Sequence, residues 1–147
     1  MKAQITGIKE LNRALSSYKK TKTDELRDEV NKSVLNVERN TKKNLVVKLD
    51  RSLGRLVSSY HNRAATGRKL EGDVYSNLFY APFVEFGTGT EVFNNPDYSF
   101  TAEEKQYASQ FKRGPGRNVP AKPALFPAWE QERPKFINAV KKLLGVK

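Results

Sequence analysis

The longest regular pattern of apolar and polar positions runs from Leu26 to Leu45. Within it Leu26, Val30, Val34, Val37, Thr41 and Leu45 recur at intervals of four, four, three, four and four residues. That spacing puts all six on one side of an α-helix. Asp24, Glu25, Asp28 and Glu29 crowd its first turns, where the helix dipole favours negative charge, and Thr23 or Asp24 is placed to cap it. Arg39, Lys42 and Lys43 fall in its later turns and suit the carbonyl end without any ligand. Upstream, Ile8, Leu11, Leu15 and Tyr18 share a face and predict a first, shorter helix, preceded by a mildly strand-like Met1 to Gly7.

Between Leu49 and Asn77 the period changes. Leu53, Leu56, Val57 and Tyr60 lead into a polar turn from Asn62 to Lys69 that contains Gly67. Leu70, Gly72, Val74 and Ser76 then alternate with charged or aromatic partners. Two β-strands around a loop fit this pattern, with a short helix as the alternative for the first half.

Tyr80 to Gly89 reads as an anchor followed by a hinge. Tyr80, Pro82, Phe83, Val84 and Phe86 are large and apolar, and Gly87 and Gly89 follow at once. A short helix from Tyr80 to Phe86 is predicted, with Pro82 in the first turn, where its missing N–H is not used. Gly87 and Gly89 allow the chain to turn sharply and leave the body. Glu85, flanked by apolar neighbours, is either a surface acid or one partner of a specific ion pair.

From Thr88 to Pro123 no period is sustained, and a loop of this length is functional or disordered more often than not. Inside it, Thr101-Ala-Glu-Glu matches a capping box that opens a helix through Phe111, with Glu103, Glu104, Lys105 and Gln106 facing water. Phe93, Tyr98, Phe100, Tyr107 and Phe111 are too many aromatics for a free linker. They imply an arm ordered on a partner, or alternatively one folded back on its own domain. Pro120 and Pro123 then fix an extended approach to a C-terminal helix with Pro127 in its first turn. An amphipathic stripe follows at Trp129, Phe136, Ile137, Val140, Leu143 and Leu144, with Trp129 assigned to the core and Pro134 expected to kink or restart the helix. The expected fold is α+β: N-terminal helices and a C-terminal helix packed on a small antiparallel sheet, one domain over residues 1–147, with residues 88–119 as a protruding, extended arm.

Composition changes this picture in two places. The chain of 147 residues has no cysteine, which removes thiolate nucleophiles, zinc–cysteine sites and redox couples. Its formal charge is +11, and between Arg39 and Lys69 nine basic residues stand against Asp50 alone. Such a cluster suits a polyanion, an acidic protein surface or simply a solvated helix face. The opening residues carry no apolar run of signal-peptide length and no window approaches the roughly 20 apolar residues of a membrane span, so a protein of the cytoplasm, or of an assembly built there, is expected.

Catalytic constellations fail on residue type. His61 is the single histidine and has no local triad partners. Asn94-Asn-Pro-Asp97 lacks the spaced acids of a calcium loop, and Gly114-Pro-Gly116 lacks the Gly-Lys-Ser/Thr of a phosphate loop. Glu85 and Glu91 form no distinctive acid/base pair. No enzyme, cofactor or metal is expected.

Tyr-Ala-Pro-Phe-Val-Glu-Phe-Gly-Thr-Gly at residues 80–89, followed after an insertion by Pro-Ala-Lys-Pro-Ala-Leu-Phe-Pro-Ala at 120–128, resembles the tail-component family of long-tailed bacteriophages. The opening Gly7-Ile-Lys-Glu-Leu-Asn-Arg-Ala-Leu and Gly54-Arg-Leu-Val-Ser-Ser-Tyr are similar to it too. The resemblance implies a virion protein of the neck or tail top, assembled in the host cytoplasm, that forms a ring of six, completes the tail and joins it to the head. Its partners would be itself and neighbouring neck or tail proteins, with genomic DNA passing through the ring without specific binding and no membrane involved. By the same resemblance, Glu85, Phe86, Gly87, Thr88 and Gly89 hold the turn at the arm's base, and Pro120, Pro123 and Pro127 return the chain to the body. Subunit contacts are expected there and along the arm at Phe93, Tyr98, Phe100, Tyr107 and Phe111. Arg39, Lys42, Lys43, Arg51, Arg55, Arg63, Arg68 and Lys69 would form a basic contact surface, facing an acidic neighbouring ring rather than gripping DNA. A basic nucleic-acid-binding protein is the alternative, although the chain lacks a helix-turn-helix signature, zinc ligands and the aromatic spacing of RNA-binding sheets.

Overall fold

The computed structural model describes residues 8–48, 54–67, 69–111 and 118–145. The strand-like reading of Met1 to Gly7, the apolar Leu53, and the cations Arg51 and Arg68 lie outside the described residues. The fold is α+β, with helices around one small antiparallel sheet. In chain order it comprises α1 (Ile8–Lys48), α2 (Gly54–Ser59), β1 (Tyr60–Arg63), β2 (Asp73–Ser76), α3 (Ala81–Phe86), a 3-10 turn at Gly89–Glu91, α4 (Ala102–Ala108) and α5 (Leu125–Leu144).

The two N-terminal helices expected from the periodicity are one helix of 41 residues, about 60 Å long at 1.5 Å per residue. Neither glycine nor proline occurs between Ile8 and Lys48. Thr23 does not cap, because its hydroxyl donates back to the Lys19 carbonyl at 2.9 Å, as Thr21 does to Ser17 at 3.0 Å. The acids read as a first turn instead pair along the helix, Lys22 with Glu25 at 2.7 Å and Arg27 with Asp24 at 2.6 Å. Of the six residues on the predicted core face, Val34, Val37, Thr41 and Leu45 are buried and Leu26 and Val30 are half-buried.

Much of the remaining packing is organised on α1. Helix α5 lies along it, and α2, β1 and β2 also contact it. Deep between α1 and α5, the buried Glu132 carboxylate accepts hydrogen bonds from Ser33 Oγ and Asn36 Nδ2, both at 3.0 Å. Pro134 lies inside α5, which continues through it to Leu144 without restarting.

Of the two strands expected between Leu49 and Asn77, the short-helix alternative holds for the first half, as Leu56 and Val57 belong to α2. The strands pair just beyond it, Tyr60 opposite Ser76 through Arg63 opposite Asp73. Gly72 lets this hairpin approach α1, since a Cβ there would sit 2.6 Å from Val34 Cγ2.

Two apolar clusters result. The first gathers Leu45, Leu56, Tyr60, Ala81 and Ala124 beneath the hairpin and α3. The second gathers Phe86, Phe100, Ala108 and Ala121, with Phe93, Tyr98, Phe111 and Phe126 packed against them. The described residues between 88 and 119 are therefore not an extended, protruding arm. The described part folds back: Phe100 is buried and Phe93, Tyr98 and Phe111 are half-buried against the cluster around Phe86, where they cover apolar surface that would otherwise meet water, while Tyr107 stays exposed.

Candidate subunit interface

The expected contact residues at the base of the segment form an internal joint. Helix α3 carries Glu85 to the start of α5, where Ala124 stands at the N-cap with no side chain able to accept a hydrogen bond. The Glu85 carboxylate takes over that role. It accepts from the backbone N–H of Ala124 at 2.8 Å, of Leu125 at 2.9 Å and of Phe126 at 3.0 Å. These are N–H groups that a helix leaves unpaired at its start, and a negative charge is favoured there. Glu85 is only 4% exposed, so it is not a surface acid. Sequence reading missed this because donor and acceptor lie about 40 positions apart. The available signal was negative: Pro-Ala-Leu-Phe-Pro opens a helix with no Ser, Thr, Asp or Asn to cap it.

The joint extends to both ends of the intervening segment. Lys122 N–H donates to Val84 O at 2.8 Å, Thr88 N–H to Val119 O at 2.9 Å, and Phe93 N–H to Phe86 O at 2.8 Å. Gly87 has φ +78°, and a Cβ there would meet Glu91 O at 2.4 Å and Val119 O at 2.9 Å. The glycine turn was rightly placed, but it folds the chain onto itself rather than releasing it.

Phe86 is the hub of the second cluster, with the Phe126 ring 5.4 Å away, Phe100 5.8 Å and Phe93 6.0 Å. The capping box at Thr101 forms as predicted, Thr101 Oγ1 accepting from Glu104 N–H and the Glu104 side chain accepting from Thr101 N–H at 2.8 Å. Glu104 was expected in water. It is buried and also accepts from Tyr98 Oη at 2.6 Å. Burial, and then that hydrogen bond, push the Tyr98 phenol well above its ordinary range. Of the five arm aromatics, Tyr107 alone is exposed.

The basic surface is thinner than its composition. Lys42 pairs with Glu38, which also accepts a hydrogen bond from Asn62. The Lys42 hydrogen bond above all holds the Glu38 carboxyl below the usual range. Arg63 pairs with Asp73 at 3.3 Å and lies over the Tyr75 ring. Arg39, Lys43, Arg55 and Lys69 are exposed and make no ion pair among the described residues.

Surfaces able to meet another molecule lie elsewhere. On α1, before the body begins, Leu15 is 56% and Tyr18 64% exposed. Near its other end Val46 and Val47 are exposed, as is Phe79 ahead of α3. A groove of about 710 Å³ opens between α1, β2, α4 and α5, lined by Val30, Val34, Val74, Trp129 and Phe136 among others. Trp129, expected in the core, is 39% exposed on this groove because its position on α5 faces the gap beside α1 rather than the contact with it. Among the described residues no three His, Asp or Glu side chains are grouped so as to hold a metal ion, and no helix is long and apolar enough to cross a membrane.

No protein family, curated protein or solved structure matches the chain.

Proposed function

We propose that this protein is a structural subunit of the neck or tail top of a long-tailed bacteriophage, forming a ring that completes the tail and joins it to the head. The observation that carries the reading is the joint itself. The two separated stretches that resemble the tail-component family, residues 80–89 and 120–128, meet through Glu85 and through the Lys122 to Val84 hydrogen bond. They belong to one physical unit on which the body is built. A subunit of this kind needs a rigid body and apolar side chains left for its neighbours, and Leu15, Tyr18, Val46, Val47 and Phe79 supply the second.

The test is electron microscopy of particles from a phage in which the gene is disrupted. Filled heads beside unattached tails, or tails of uncontrolled length, are the expected result. Complete, infectious virions would refute the role.

A second reading, a nucleic-acid-binding protein, draws on the four exposed cations without an ion pair, Arg39, Lys43, Arg55 and Lys69. Use of four phosphate contacts predicts a double-stranded DNA affinity whose logarithm falls with log salt at a slope of about −3.6. Weak binding with a flat salt response would exclude it.

A further inference from the structure

The N-terminal part of α1 and the groove beside α5 are complementary, and no bending of one chain brings them together. Val30, where the groove begins, lies twelve residues along the same helix from Tyr18, about 18 Å at the helical rise. A continuous helix holds that separation fixed, so Leu15 and Tyr18 stay away from the groove of their own subunit.

The charges match. Between residues 12 and 22 the helix carries Arg13, Lys19, Lys20 and Lys22 and no acid. The groove is bordered by Glu71, Asp73, Glu103, Glu104 and Glu130 against Arg133. Asp73 is taken up by Arg63, Glu130 lies near Arg133 and Glu104 is satisfied internally. Glu71 and Glu103 make no ion pair among the described residues. Arg13, Lys19 and Lys20 likewise make none.

We propose that the projecting segment of α1 from one copy docks in this groove of a second copy, with Leu15 and Tyr18 against Val30, Val74, Trp129 and Phe136, and its cations beside Glu71 and Glu103. An amphipathic helix laid in an apolar groove through residues at i and i+3 is a recurring mode of recognition. Each copy then offers one helix and one groove, which makes the contact head-to-tail. Contacts of this type build rings when the rotation closes and open filaments when it does not. The inference rests on the ring-forming role proposed above and specifies the contact that makes the ring.

Sedimentation of three proteins, alone and mixed, tests it. The native chain associates with increasing concentration. Leu15→Asp/Tyr18→Asp removes the helix contact and Glu71→Lys/Glu103→Lys the groove contact, and all four positions are exposed, so both variants fold. Each variant alone associates about 30-fold or more weakly, the loss typical of a central interface residue. Mixed in equal amounts they form a one-to-one dimer and nothing larger, because one intact helix meets one intact groove. An interface in which identical surfaces face each other does not give that result. Association unchanged in Leu15→Asp/Tyr18→Asp overturns the docking while leaving self-assembly intact, and would direct attention to Val46 and Val47. A native chain that stays monomeric even at millimolar concentration also overturns it, and leaves the neck role to the disrupted-gene particles.

Discussion

Glu85 shows how far a residue's role can lie from its neighbourhood. Its carboxylate satisfies three backbone donors of α5 inside the protein, where an unmet donor costs roughly 1–3 kcal/mol. Glu85→Ala leaves all three unmet and is expected to lower stability by about 3 kcal/mol, read from the denaturant midpoint. Glu85→Gln keeps an acceptor and the shape, and is expected to cost about half as much. A second residue-scale expectation concerns pH. Burial, and then the Glu85 charge, push the Tyr60 phenol far above its ordinary value, and Tyr98 is raised too, by burial and then by Glu104. A raised folded value means the unfolded chain loses its phenolic protons first. The stabilisation is complete below about pH 10, the unfolded tyrosine value, and is lost progressively above it. Alkaline unfolding followed by phenolate absorbance should therefore be blunted in Tyr60→Phe, and in Tyr98→Phe by a smaller amount. None of this was legible locally. Reading along the chain shows what flanks Glu85 but not the uncapped helix start about 40 residues later.

Where a local rule sufficed, the elements were legible. The four-four-three spacing gave the buried face of α1, the capping box gave the start of α4, and Pro82 and Pro127 sit in first turns as expected. Boundaries failed where a residue had two uses. Thr23 and its following acids serve equally as a cap and as helix-interior partners, and the absence of any glycine or proline decided for continuity. Trp129 shares the stripe of α5 yet faces the groove, because a stripe marks one side of a helix and not what stands opposite. The continuity of α1 can be tested with Lys22→Pro. An interior proline costs about 3 kcal/mol in a supported helix, but the segment before residue 22 is exposed and can unwind instead. Circular dichroism should lose the helicity of roughly a dozen residues while the thermal midpoint of the body stays near its native value. A large fall in that midpoint would mean that the projecting segment stabilises the body.

At the scale of the molecule, the segment between the two halves of the joint is structural. Its reading as a partner-bound arm followed soundly from its lack of period and wealth of aromatics, but nothing in the sequence shows whether such aromatics bury against another chain or their own. Here Phe86 lies within ring-contact distance of Phe93, Phe100, Tyr107, Phe111 and Phe126. Removal of residues 94–112 would uncover that hub. The deletion is expected to melt earlier than the native chain and to bind an apolar dye at room temperature. Native-like melting would mean that the second cluster adds nothing to the body.

The Glu132 contacts to Ser33 and Asn36 span 99 and 96 positions, and α1 and α5 form the most extensive packing in the molecule. A closure that joins such distant segments carries the entropy of a long loop, so this contact is expected to form late in folding. During synthesis α1 precedes its own α5 by roughly a hundred residues, which take about 5–20 s to make at roughly 5–20 residues per second. For those seconds the valines of α1 lack the helix that covers them in the finished fold.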